Sequence, residues 1–211
     1  MCKANLLFSA NAMTYSVFIA GLAAGATLNL LLLRTILAPP FRIWPAPEPG
    51  SWQSLIFWSL FRGGMMLTLA VAALDWDSVH FLDRSRFIGV PLFLVGFGIA
   101  ICGYFNLGLS NTYCGADGLV RHGLYRFSRN PQYTASIAGL FGLALAANSV
   151  MTICLAAMMA AAYVLMAFAE EGWLEQLYGK PYSDYCAQTA RFLDVAGIIA
   201  LTAERKRRRP A

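Results

Sequence analysis

The sequence predicts an all-α integral membrane helical bundle with about five transmembrane helices and a cytoplasmic C-terminal helix. Of the 211 residues, 58% are hydrophobic and only 13% are charged, whereas soluble domains carry about 25% charged residues. The mean hydropathy is +0.56, and the hydrophobic residues lie in runs of the roughly 20 residues that a helix needs to cross a bilayer. This composition excludes a conventional soluble fold, and the 14 Phe, 9 Tyr and 5 Trp exclude a disordered chain.

A proline-rich loop separates the first two predicted spans. The first span covers residues 16–37, and no clear signal-peptide cleavage site precedes it, so we expect this helix to be retained. Residues 39–53 contain five of the nine prolines and two tryptophans, which predicts an interfacial loop at headgroup depth. The second span covers residues 54–74 and includes Arg62. This arginine either snorkels or pairs inside the bundle, or it contacts a ligand.

The remaining hydrophobic runs predict three further spans. One covers residues 87–107, and residues 131–169 then form a charge-free run of 39 residues. As one straight helix this run would measure about 60 Å, twice the thickness of the hydrocarbon core. It must therefore fold back, and residues 146–149 supply the expected turn. The result is a tight hairpin of two spans, which gives five spans in all.

The basic residues predict how the bundle sits in the membrane. Twelve of them lie on one set of loops and ends, and three lie on the opposite set. By the positive-inside rule the C-terminus faces the cytoplasm and the N-terminus faces out, as in the inner membrane if the protein is bacterial. The net charge of +5 owes much to the basic tail at residues 203–211. Such a tail indicates contact with an anionic membrane surface, and we expect no nucleic-acid partner.

Five cysteines without C-x-x-C spacing argue against a zinc site or a disulfide framework. We therefore expect no metal. Cys102 and Cys154 lie inside apolar runs, so we expect them to be buried as small hydrophobic residues.

Residues 118–133 form the first segment whose residues are neither membrane anchors nor core. Glycine, arginine and tyrosine cluster there, and Asn130 is a natural cap for a helix that begins at Pro131. The free N–H groups of such a helix start, together with nearby arginines, suit an anionic group such as a carboxylate. The same residues also fit a plain helix cap and the positive-inside rule, so this segment alone leaves both interpretations open.

The second segment, residues 170–185, begins with Glu170 and Glu171 at the end of the charge-free run. The helix should continue past them and stop at Gly179. Adjacent helical residues point about 100° apart, so only one of the two carboxylates can face a cavity squarely. Glu175 shares a face with Glu171, and we expect it to be solvated.

Together these segments resemble the isoprenylcysteine carboxyl methyltransferase family and its phospholipid methyltransferase relatives. Residues 125–133 match the pattern Tyr-x-x-x-Arg-(His or Asn)-Pro-x-Tyr, and residues 170–185 match Glu-Glu-x-x-Leu…(Phe or Tyr)-Gly-x-x-Tyr-x-x-Tyr. The resemblance covers residues 118–192, within a single membrane domain of residues 1–211. Asn130 stands where prenylcysteine enzymes usually place histidine, and Gln188 stands where those members commonly have arginine.

The resemblance implies an integral membrane methyltransferase that uses S-adenosylmethionine. Its acceptor would be a lipophilic or lipidated substrate, such as a prenylcysteine-like carboxylate or a phospholipid amine. Glu170, Glu171 and Arg191 would be catalytic: a glutamate would bind the ammonium of the cofactor or accept a proton from an amine, and Arg191 would orient an anionic substrate group. The implied cofactor-binding residues are Leu119, Val120, Tyr125, Arg129, Asn130, Pro131, Tyr133, Glu170 and Glu171.

Two other functions remain open. Sterol reductases share a similar C-terminal helical architecture, so an NADPH-dependent reductase is one alternative. The Arg-Asn-Pro turn and the paired glutamates argue against it. A non-catalytic membrane subunit is the other alternative, which copurification with a larger complex would favour.

Overall fold

The computed structural model describes residues 2–38, 40–76, 78, 84–108, 111 and 118–193. Within these ranges the structure contains α-helices and one 3₁₀-helix and no β-strand, which confirms the predicted all-α class. The predicted basic tail lies outside the described residues. The helices are α1 (Cys2–Leu37), α2 (Trp52–Leu74), α3 (Ser85–Leu107), the 3₁₀-helix Gly123–Arg126, α4 (Pro131–Ala147), α5 (Val150–Tyr178) and α6 (Lys180–Gln188).

Four of the described helices are long and apolar enough to cross a membrane: α1 from Asn11 onward, α2, α3 and α5. The sequence predicted about five, and α4 is the helix that falls short. It begins at Pro131 and ends after 17 residues, because Asn148 adopts a left-handed conformation with φ 48° that ends the helix. The predicted turn at residues 146–149 is therefore confirmed. It leaves α4 only about 25 Å long.

Although it is short, α4 runs back through the same layer as α3. The two helices are antiparallel and meet at their glycines. A Cβ atom on Gly96 would lie 2.5 Å from the backbone nitrogen of Gly139, and one on Gly89 would meet the backbone of Ala146. At the other end of α3, a Cβ atom on Gly103 would meet Gln132. These three contacts lie along the whole length of α3, so the chain reverses its direction between α3 and α4.

The hydrophobic core lies between α1, α2, α4 and α5. Helices that are apolar on all sides bury whichever face meets a neighbour. In this bundle Leu28, Phe57, Leu140 and Met159 are almost fully buried. The α1–α2 loop folds onto the same core, since the ring of Trp44 stacks on that of Phe57 at a centroid distance of 4.2 Å. This packing brings the loop to the end of the bundle where α4 begins and α5 ends.

Two cysteines and one arginine lie on the outer surface of the bundle. The prediction that the cysteines are buried is wrong for Cys102 and Cys154, which are exposed. An outer helix face in a bilayer is as apolar as the core. An apolar run in the sequence therefore does not show whether a cysteine within it is buried or faces lipid. Arg62 is exposed on α2, with its guanidinium 4.7 Å from the centroid of the Trp58 ring. The described residues contain no group of three or more side chains that could hold a metal ion.

Candidate functional site

A cleft lies at the end of the bundle where α3 and α5 end and α4 begins. Its volume is about 100 Å³, which is smaller than the roughly 300–1,000 Å³ of typical ligand pockets. A ligand of nucleoside size would therefore have to move its walls apart. Of the predicted cofactor-binding residues, Pro131 and Glu171 do not line the cleft. The other seven do, namely Leu119, Val120, Tyr125, Arg129, Asn130, Tyr133 and Glu170.

Glu170 is the member of the glutamate pair that faces the cleft. Its Oε1 accepts one hydrogen bond from Trp44 Nε1 at 2.6 Å and another from the Tyr133 hydroxyl. Its Oε2 has no hydrogen-bond partner in the part of the chain that the structure describes. Trp44 itself is only 3% exposed, so the carboxylate is held in place by a rigid donor. Two neutral donors and no arginine therefore hold this carboxyl group in the wall.

Glu171 points to a different set of partners. Arg191 donates from Nε and Nη2 to its two carboxylate oxygens at 2.6 and 2.7 Å. The Nη1 atom of Arg129 lies 2.9 Å from Oε1 of the same carboxylate. The Arg191 guanidinium also stacks 4.0 Å above the ring of Phe168, and it does not line the cleft. Glu175 is exposed, as predicted.

The Arg-Asn-Pro turn is tied to the segment that follows α6. The backbone N–H of Arg129 donates to the carbonyl of Ala190 at 2.9 Å, and Asn130 Nδ2 donates to the carbonyl of Arg191 at 3.0 Å. Pro131 begins α4, as predicted, and Asn130 occupies the N-cap position. Its side chain makes no hydrogen bond to the helix start, because Nδ2 donates to the carbonyl of Arg191 instead.

The helix α6 supports the opposite side of the cleft. The hydroxyl of Tyr185 donates to the carbonyl of Tyr125 at 2.6 Å, which fixes the 3₁₀-helix in the wall. Burial raises the pKa of Tyr185 to about 12, so the phenol keeps its proton and remains a donor at neutral pH. Arg129 also contacts α6, since its Nη1 atom lies 2.7 Å from the sulfur of Cys186.

Two buried donors in the cleft wall have no partner among the described residues. They are Nε of Arg129 and Nε2 of Gln132. A buried donor without an acceptor costs roughly 1–3 kcal/mol, so an acceptor that bound beside these two atoms would stabilise the cleft. The start of α4 adds partial positive charge at this corner. The corner therefore fits an anionic group, whereas Glu170 with the rings of Trp44 and Tyr133 fits a cation.

The cleft-lining residues that sequence reasoning missed include Trp44, Gln132 and Trp173. Gln132 lies inside the matched motif, and Trp173 follows Glu170 at a spacing that places neighbours on one helix face. Local signals for both were therefore present. Trp44 is 126 residues from Glu170, and no local pattern connects them.

Residues 85–181 match the family model described as phospholipid methyltransferase. The matched range is 97 of the 211 residues, just under half of the chain. No curated protein and no solved structure gives a match to the chain. The phospholipid methyltransferase domain contains α3, α4 and α5, and with them the Arg-Asn-Pro turn and both glutamates. Trp44 precedes this domain and Arg191 follows it, so the site also depends on residues outside the matched range.

Proposed function

We propose that the protein is an S-adenosylmethionine-dependent membrane methyltransferase that acts on a lipophilic acceptor. One observation carries the proposal: the Arg-Asn-Pro turn and the adjacent start of α4 contact both glutamates, and one of them, Glu170, lines the same cleft as Arg129 and Asn130. Tyr133 contacts Glu170 there, and Arg129 contacts Glu171. The family match supports the class of reaction.

The charged groups of the cleft fit the charged groups of this donor. S-adenosylmethionine carries a carboxylate, an ammonium and a sulfonium. The unpaired donors of Arg129 and Gln132 suit the carboxylate. Glu170, with the rings of Trp44 and Tyr133, suits the cationic groups, because aromatic faces and carboxylates both attract cations. We assign the apolar wall, which includes Leu119 and Val120, to the adenosine part.

The chain's own residues position the reactants. When bound, the donor supplies an activated methyl group, and the protein must hold an acceptor in line with it at about 3–3.5 Å and exclude water. Glu170 lies in the cleft wall, so for an amine acceptor it is the group placed to accept the proton. Glu171 and Arg191 are positioning residues, because they act through Arg129 and the 189–191 segment. Arg191 engages Glu171 with both carboxylate oxygens, which fixes that geometry.

The cleft would face the cytoplasm. Exposed basic residues Arg121, Arg126 and Lys180 lie at the cleft end, whereas Arg84 lies at the opposite end, together with Arg86. By the positive-inside rule this distribution supports a cleft that faces the cytoplasm, where a water-soluble donor would reach it directly. A lipophilic acceptor would arrive from the side, between helices.

A labelling experiment tests the proposal. Membranes that contain the protein are incubated with methyl-radiolabelled S-adenosylmethionine, and the lipid extract is examined by mass spectrometry for species heavier by one methylene unit. We expect labelled lipid with the wild type and with Glu175→Gln, whose carboxylate is exposed. We expect at least a tenfold loss with Glu170→Gln, since hydrogen bonds to charged groups contribute about 1.5–3 kcal/mol. Equal label with and without the protein would contradict the proposal.

A further inference from the structure

Arg62 carries a positive charge near the middle of α2. It lies ten residues after the first residue of the helix and twelve before the last, so its Cα atom is about 15 Å from the end of α2 that lies beside the cleft. Among the described helices it is the one charged residue that lies so far from both ends of its helix. The side chain is exposed on the outer face of the bundle, and at this depth of a membrane helix the surroundings are hydrocarbon.

The contacts of Arg62 within the chain leave its charge without an acceptor. The guanidinium lies 4.7 Å from the centroid of the Trp58 ring. Trp58 is four residues nearer the cleft end, so the side chain leans toward that end and still stops about 9 Å short of it. The guanidinium makes no hydrogen bond or ion pair with the described residues. An aromatic ring offsets part of the cost of a cation in hydrocarbon, but it accepts no strong hydrogen bond from the N–H groups.

The surface around Arg62 allows another helix to approach closely. Ser59 precedes Arg62 by three residues and Met66 follows it by four, so the three side chains lie on one exposed face of α2. Gly63 borders this face, and a Cβ atom on it would meet nothing within 4 Å. Ser59 and Gly63 are small residues four apart, which is the spacing at which membrane helices pack closely. We call these four residues the Arg62 face.

We propose that the Arg62 face binds a membrane-spanning helix of another protein, which places a carboxylate beside the guanidinium. A carboxylate supplies the opposite charge and accepts hydrogen bonds from a guanidinium at two points, and charged side chains inside membranes pair in this way. A second copy of the chain does not supply it. Glu170 and Glu171 are the carboxylates farthest from a helix end among the described helices, and both have partners inside the site. The partner is therefore a different protein with an aspartate or glutamate near the middle of its own membrane helix.

A synthetic membrane peptide tests the proposal. It has about 20 leucine and alanine residues, lysines at both ends, one central glutamate and a photoreactive benzophenone one helical turn from the glutamate. The full-length protein and the peptide are reconstituted in phosphatidylcholine vesicles without any methyl donor and irradiated, and mass spectrometry locates the cross-links. We expect the glutamate peptide to cross-link to α2 about threefold or more above its glutamine version, the factor that one hydrogen bond between membrane helices contributes.

Two arginine variants show whether this preference depends on the charge at Arg62. We expect Arg62→Gln to abolish the preference for the glutamate peptide. Arg84→Gln removes a charge that is exposed at the opposite end of the bundle and should keep the preference. Equal cross-linking of the two peptides to the wild type would show that Arg62 takes its acceptor from the lipid, and it would overturn the proposal. An unchanged preference in Arg62→Gln, or cross-links confined to other helices, would also overturn it.

Two glycine variants test the shape of the Arg62 face. A Cβ atom on Gly63, or on Gly98 of α3, would meet nothing within 4 Å, so a larger side chain has room at either position within the chain's own fold. We expect Gly63→Leu to keep the partner helix away and to lower cross-linking of the glutamate peptide about threefold. Gly98→Leu should leave it unchanged. Equal cross-linking in these two variants would overturn the proposal. Since no methyl donor is present, these results do not depend on the proposed function.

Discussion

The carboxyl group of Glu170 lies in the cleft wall and accepts hydrogen bonds from two neutral donors, Trp44 and Tyr133. Glutamine at this position keeps the shape and one carbonyl oxygen that can accept both hydrogen bonds, but it loses the charge. We therefore expect Glu170→Gln to fold normally and to bind S-adenosylhomocysteine about tenfold or more weakly. Calorimetric titration measures this. Glu175→Gln on the exposed face of the same helix is the matched control. The same Kd in both variants would refute a role for Glu170 in donor binding.

One ionic cluster contains Glu171, Arg129 and Arg191. We therefore expect that the effects of substitutions within this cluster on ligand affinity do not multiply. The two-point Glu171–Arg191 contact holds Glu171 beside Arg129 of the Arg-Asn-Pro turn. We expect Glu171→Gln and Arg191→Gln each to weaken S-adenosylhomocysteine about fivefold, and the double variant to be no weaker than either one, because residues in contact are coupled. If the loss of affinity in the double variant equals the product of the two single losses, the two residues act independently.

For single residues, spacing in the sequence could predict which of them share a helix face. It could not predict which distant residues they contact in the fold. The angle between adjacent helical residues correctly indicated that only one of Glu170 and Glu171 faces the cleft. It did not say which, because that depends on how α5 rotates against the loop that carries Trp44. The role of Asn130 was missed for a similar reason. Its side chain contacts a carbonyl 61 residues away instead of the adjacent helix start.

Among the helices, the close contact between α3 and α4 positions the start of α4 and therefore the Arg-Asn-Pro turn. A Cβ atom on Gly96 would lie 2.5 Å from backbone of α4, whereas one on Gly98 would meet nothing within 4 Å. We expect Gly96→Ala to destabilise the fold by about 1–3 kcal/mol, several degrees in Tm, because backbone cannot move aside cheaply. Gly98→Ala should leave Tm unchanged or raise it. Thermal unfolding in detergent compares the two variants, and equal Tm values would rule out a close backbone contact between α3 and α4 at Gly96.

Helix ends were largely predictable because local chemistry decides them. Pro131 begins α4, and Gly179 ends α5 with a positive φ of 57°, as their residue types indicate. The number of spans was less predictable. The turn at Asn148 leaves 17 residues in α4, and only its contacts with α3 show that this short helix runs back along the bundle.

For the whole molecule, the distribution of basic residues predicts that the cleft faces the cytoplasm. Single cysteines replace Lys180, exposed at the cleft end, and Arg84, exposed at the opposite end, in a chain whose native cysteines are replaced by alanine. With a membrane-impermeant maleimide on intact bacterial spheroplasts, we expect the cysteine at position 84 to react. The one at position 180 should react only after permeabilisation. The reverse pattern would invert the orientation and move the cleft away from cytoplasmic donor.

Photo-cross-linking of radiolabelled S-adenosylmethionine to the full-length protein locates the donor most directly. Ultraviolet irradiation followed by proteolysis and mass spectrometry identifies the labelled peptides. We expect the label on the peptide that contains Trp44 or on peptides from residues 118–134 or 170–191, and we expect excess unlabelled S-adenosylhomocysteine to abolish it. Label confined to other peptides, or label that the competitor does not displace, would contradict a donor site between the Arg-Asn-Pro turn and the paired glutamates.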